Sequence, residues 1–148
     1  MYLMRVDASG ELLRIECSGD VTTAEAVRAV SQAAALAEAG NIWAMAADLT
    51  RVERGPAGAM VLAAAMAAAH REGLRVAWIA GPAGRATIER VTRFAGLKHA
   101  CRIFDSEPAA ATWLGVARER ASAHPPLRVA SRAGRTPVLA AGGSPSAA

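Results

Sequence analysis

Three apolar runs of strand length, Ile42 to Leu49, Leu74 to Ala80 and Ala100 to Phe104, alternate with helix-length stretches. Continuous apolar runs this short predict strands buried on both faces. Strands separated by helices must pair in parallel through right-handed crossovers, so the alternation limits the chain to an α/β sheet covered by helices.

The punctuation fits this order. Thr22-Thr23-Ala24-Glu25 is a capping box that opens a helix running to about Glu38, with Gly40 as its stop. Val27, Val30, Ala34 and Ala37 form its apolar stripe, and the small alanines predict close packing on the sheet. Thr50 to Gly55 is polar and predicts a loop, and Pro56 opens a second helix that ends near Glu72 and Gly73. Arg85 to Ala95 is a third helix, and Asp105-Ser106-Glu107-Pro108 starts a fourth that carries Trp113 and Leu114. Ahead of these, Tyr2 to Asp7 and Glu11 to Ser18 flank an Ala8-Ser9-Gly10 turn, with Leu13, Ile15 and Cys17 on one face. They predict an antiparallel hairpin at the sheet edge. The fold class is therefore α/β: a single domain with a mixed, mostly parallel sheet of about five strands and about four covering helices.

The pattern covers residues 1–120. From 121 to 148, Pro125-Pro126, Pro137, Gly142-Gly143 and Pro145 interrupt an Ala/Ser/Arg segment, which predicts a disordered tail. The charge divides at the same point. The chain has a net charge of +4, yet residues 1–120 carry 14 basic and 13 acidic side chains, a net +1, and Arg128, Arg132 and Arg135 supply the other +3. The folded part lacks the basic footprint of a nucleic-acid-binding domain. The longest uncharged run, Gly55 to Ala69, is 15 residues long. A bilayer span needs about 20 apolar residues, so no membrane span is expected. With no leader pattern and two cysteines far apart, the expected location is the cytoplasm.

Few residues point to chemistry. Gly81-Pro82-Ala83-Gly84-Arg85 follows a strand and opens a helix, where glycine amides can face an anion, so Gly81, Gly84 and Arg85 form a candidate anion-facing loop. The two-residue glycine spacing and the missing lysine depart from a phosphate loop, and an ordinary strand-to-helix turn fits better. Cys101 lies in a strand, where thiols are inert. His70, His99 and His124 are scattered, and no cysteine–histidine spacing suits zinc, so no metal, cofactor or catalytic constellation is expected. Arg85, Arg90, Arg93 and Lys98 read first as a solvated helix face, with Arg85 and Glu89 spaced to pair. Asp48 stands out as a carboxylate ending a buried strand, where sites of open α/β sheets lie.

Several pieces resemble the STAS domain, the fold of bacterial anti-sigma factor antagonists, over about Leu3 to Leu114. Ser18-Gly19-Asp20-Val21-Thr22 resembles the family's strand exit before its first helix, and Ala47-Asp48-Leu49-Thr50-Arg51-Val52 its Asp-Leu-Ser-x-Val strand end. Gly73-Leu74-Arg75-Val76, Gly96-Leu97 and Ile103-Phe104-Asp105-Ser106-Glu107 resemble later landmarks. The family continues with Asp-Ser-Ser-Gly, whose serine is phosphorylated by a partner kinase. This chain has Gly55-Pro56-Ala57-Gly58 instead. The resemblance implies a non-catalytic module that binds a regulatory protein, an anti-sigma factor or a kinase-like protein, without the usual phosphoswitch. The implied partner-binding residues are Asp48, Thr50, Arg51, Pro56, Ala57 and Gly58, and a homodimer stays open. The Ala110 to Leu114 stretch also resembles the STAS/SEC14-related branch. That likeness, with Met60 and Met66 in the second helix, implies an alternative role as carrier of a small apolar ligand or lipid.

Overall fold

The structure, a computed structural model, describes residues 1–71 and 73–123. Its elements run β1 (Tyr2–Val6), β2 (Leu12–Asp20), α1 (Thr23–Ala39), β3 (Ala44–Arg54), α2 (Ala59–Ala69), β4 (Arg75–Ile79), α3 (Pro82–Phe94), β5 (Cys101–Phe104) and α4 (Glu107–Ala123). The strands form one sheet in the order β1-β2-β3-β4-β5. β1 pairs antiparallel with β2, and every other pairing is parallel, as the alternation requires. The helix α4 passes the expected boundary at Arg120, and the rest of the predicted tail lies outside the described residues.

Two layers cover the sheet. On one face, Leu13, Ile15, Cys17, Met45, Ala47 and Val76 meet Ala33 and Ala37 of α1. Beside them, Leu62, Ala63 and Met66 of α2 pack with Val91 of α3. On the other face, Ala44, Ala46, Ala77 and Ile79 meet Ala110 and Leu114 of α4. This alternation along β3 follows from the two-residue period of a strand.

The sequence expectations need several corrections. β3 does not end at Leu49. It continues through the expected Thr50–Gly55 loop to Arg54 because β2 supplies a partner as far as Asp20. Cross-strand pairs Arg51–Glu16 (2.9 Å) and Arg54–Asp20 (3.5 Å) stabilise this polar ribbon. The second helix begins at Ala59, not Pro56, and the third at Pro82, not Arg85, with Pro82 in its first turn. The strand β5 lies at the sheet edge and is only partly buried. Arg85 pairs with Asp105 and not with Glu89.

The last correction concerns α1. Its buried row is Ala29, Ala33 and Ala37, not the expected stripe of Val27, Val30, Ala34 and Ala37. The helix α4 rests against β3, β4 and β5, and α1 and α2 pack on each other. The small residues Ala26, Ala29, Val30, Ala33 and Ala34 of α1 border a space between the layers that is not filled.

Candidate interaction site at the strand ends

Asp48 marks the point where β3 loses one neighbour. The pairing of β3 with β4 ends at Asp48 and Ile79, and beyond it β3 is paired with β2 alone. An extra residue in β3 there, between the pairs Glu16–Asp48 and Ser18–Arg51, makes a bulge. The Asp48 carboxylate holds this bend: Oδ1 accepts from the Thr50 amide at 2.9 Å and from the Thr50 hydroxyl at 2.6 Å. Both groups of the pair are thereby committed to local structure.

Arg51 meets Glu16 across the strand pair. Thr50 and Pro56 line the mouth of a cavity, and Asp48 is bonded to Thr50 there. Gly58 caps α2, and its amide donates to the Thr23 hydroxyl at 3.0 Å. Thr50, Pro56 and the Gly81–Gly84 turn come together at the C-terminal ends of the strands, with Asp48 bonded to Thr50 beside them.

The glycine turn itself is used by its helix. Pro82 has no N–H, and the amides of Gly84 and Arg85 both donate to the Gly81 carbonyl at 3.1 Å. The Arg85 guanidinium is held by Asp105. These groups form a helix start.

Of the two methionines that suggested an apolar pocket beside the second helix, Met66 lines a cavity and Met60 faces solvent. The cavity measures about 340 Å³ and runs between the sheet and the α1–α3 layer, from the strand-end loops to Leu74 and His70. Its floor is Ile15, Met45, Val76 and Trp78, and its roof includes Ala29, Ala33, Leu62 and Met66. The alanine row of α1 was the available signal, since small side chains fill space only when backbones approach.

A missed feature lies on the outside of α2. Every residue of this helix is Ala, Met, Val or Leu. Leu62, Ala63 and Met66 turn inward, and Met60, Val61, Ala64, Ala67 and Ala68 form a continuous outward stripe. Met60 is 63% exposed and Val61 59% exposed.

Burial pushes the Cys101 thiol up to about 11 and raises that of Cys17 as well. Among the described residues no group of His, Cys, Asp and Glu could hold a metal ion. No helix among them is long and apolar enough to cross a membrane.

The element order, the antiparallel β1 edge and the parallel β2–β5 core define a STAS-like α/β domain with the SpoIIAA-like fold. Solved structures share it. The anti-sigma factor antagonist SpoIIAA in its unphosphorylated form matches with a TM-score of 0.53 at 14% identity, over 78% of this chain and 97% of that one. An anti-sigma factor antagonist from Mycobacterium paratuberculosis matches at 0.54 and 21% identity, over 78% and 95%. An uncharacterised Shewanella loihica protein with a SpoIIAA-like fold matches at 0.55 and 18% identity, over 76% and 93%. No family model and no curated protein matches at the level of sequence. At these identities the likeness establishes the fold.

Proposed function

We propose that this chain is a non-catalytic regulatory module of the anti-sigma factor antagonist type, working in the cytoplasm. It binds a partner protein, an anti-sigma factor or a kinase-like regulator, at the start of α2. The observation that carries this reading is the bare apolar stripe led by Met60 and Val61, directly beside the strand-end loops. Desolvating such a stripe drives association without strong charge, in keeping with the near-neutral folded part. The fold shared with two anti-sigma factor antagonists supports the assignment.

The module works without a phosphoswitch at the usual place. Gly55-Pro56-Ala57-Gly58 has no hydroxyl to accept a phosphoryl group, and the nearby Thr50 hydroxyl is bonded to Asp48. SpoIIAA itself has been solved in both a phosphorylated and an unphosphorylated form. Here binding is governed by shape and abundance.

The test is a paired capture from native extract with the full chain and with a Met60→Asp/Val61→Asp variant whose fold is verified by circular dichroism. An anti-sigma factor or kinase-like protein retained by the first and lost by the second is expected. Equal capture by both would remove the α2 face from the reading. Sedimentation of both forms covers the homodimer: a dimer that the variant dissolves would assign the stripe to a second copy of the chain.

A further inference from the structure

The cavity behind α2 has the properties of a ligand site. Its volume of about 340 Å³ lies at the lower end of the roughly 300–1,000 Å³ typical of small-molecule pockets. It is more than twice the ~150 Å³ engineered apolar cavity that takes up benzene. A compact molecule of two fused rings fits it, and a diacyl lipid does not. Core methylenes enclose the inner part: Ile15, Met45, Leu62, Met66 and Val76, with Trp78 offering a ring. Methionine adapts its shape to an irregular guest.

The mouth sets the charge of the guest. Two carboxylates stand there, Glu25 and Glu53. Bonds from the Thr22 amide and hydroxyl hold Glu25 below the usual carboxylate range, so it stays ionised. Among the described lining residues there is no lysine or arginine, and burial holds His70 below its usual range, which favours its neutral form. A carboxylate or phosphate on the guest would meet like charge and find no cation. Burying such a group unpaired is costly.

We propose that this cavity binds a small uncharged apolar molecule of about the size of a bicyclic hydrocarbon, between the sheet and the alanine row of α1. The site is separate from the outer face of α2, and the inference does not depend on the partner reading.

The full chain is titrated with naphthalene and, in parallel, with its carboxylate analogue 2-naphthoate, and binding is followed by nuclear magnetic resonance shifts. Saturable naphthalene binding is expected, with shifts centred on Ile15, Met66, Val76 and Trp78. The carboxylate should bind at least about tenfold more weakly, because its charge has no partner at the site. Ala33→Leu fills the space and should weaken naphthalene by about tenfold or more while raising Tm. Ala29→Leu, one turn earlier, replaces it if the first variant does not fold. Absence of saturable binding to the unmodified chain overturns the inference. Equal binding of the two probes overturns the uncharged class, and binding that survives both filling variants overturns the location.

Discussion

The amide of Gly58 donates to the hydroxyl of Thr23 at 3.0 Å, so the first residue of α1 caps the start of α2. The helix α2 has no side-chain cap of its own. The two helices are therefore tied at the end where the proposed partner face begins. The tie also leaves no room for a side chain: a Cβ on Gly58 would lie 2.7 Å from Thr23 Cγ2 and 3.0 Å from its Oγ1.

Gly58→Ala should therefore destabilise the domain by about 1–3 kcal/mol, the usual cost of forced overpacking. Thr23 can relieve the clash only by turning away and giving up the Gly58 amide. In a Thr23→Ala background the same substitution should cost much less. Urea unfolding of the four combinations measures this directly. An unchanged cost in that background would show that the close approach to Thr23 is not its source.

The capping box of α1 should be as measurable. The Thr22 amide and hydroxyl both donate to Glu25 Oε2 at 2.9 Å, and the Glu25 amide donates back to Thr22 Oγ1 at 3.2 Å. Thr22→Ala should cost about 1 kcal/mol at neutral pH. These bonds lower the Glu25 pKa in the folded state, so their contribution is complete above its ordinary value of 4.5 and fades as pH falls through the depressed one. The difference in Tm between wild type and Thr22→Ala should shrink in strong acid.

How much of this was legible depended on where the information was local. The capping box, the stops at Gly40 and Gly96 and the strand Arg75–Ile79 are set by neighbours in sequence, and reading neighbours found them. The extension of β3 to Arg54 was not legible, because its partner residues Glu16 to Asp20 lie far away in the chain. Arg51, Glu53 and Arg54 look like a loop until their cross-strand partners are known. The cavity was legible only through Met66, and its place beside α1 was not. Alanines at helical spacing permit close packing but do not enforce it, and a cavity remains between α1 and the sheet. Conversely, Asp48 was conspicuous in sequence, yet its carboxylate is occupied with the amide and hydroxyl of Thr50.

The cysteines should be slow to react. With the Cys101 thiol near 11, its thiolate is scarce at neutral pH, and Cys17 is buried and also raised. Alkylation by iodoacetamide at neutral pH should proceed on the order of a hundredfold slower than for a free thiol of pKa about 8.5, and both sites should react promptly in denaturant. Mass spectrometry over time checks it. Rapid labelling of Cys101 in the native chain would contradict the burial that raises it.

His70 links stability to pH in the mildly acidic range. It caps the C-terminus of α2, and burial lowers its pKa below 6.5, with smaller contributions from His99 and Arg75. Its ring meets that of His99 edge-on at 6.1 Å. Because the unfolded chain takes up the proton more readily, stability is full above 6.5 and falls as pH drops from there toward the depressed folded value. The helix dipole would favour the charged form at this position, but desolvation outweighs it. His70→Gln should flatten the decline in Tm between neutral pH and the depressed value. An equally steep decline in the variant would assign it to other groups.

The uniform composition of α2 hides two very different faces, and adjacent substitutions should separate them. Leu62 is buried against Met66, Val91 and Leu97, so Leu62→Ala should destabilise by about 2–5 kcal/mol. The lower part of that range applies, since a site already bordering a cavity has fewer contacts to lose. Met60, two positions earlier, faces solvent, and Met60→Lys should change stability by no more than about 0.5 kcal/mol. The same lysine should weaken capture of the partner, because it places a hydrated charge where an apolar face must be desolvated. Stability and capture therefore respond to different residues of one helix. A Met60→Lys variant that unfolds would instead mean that the outer stripe is part of the core of an assembled form.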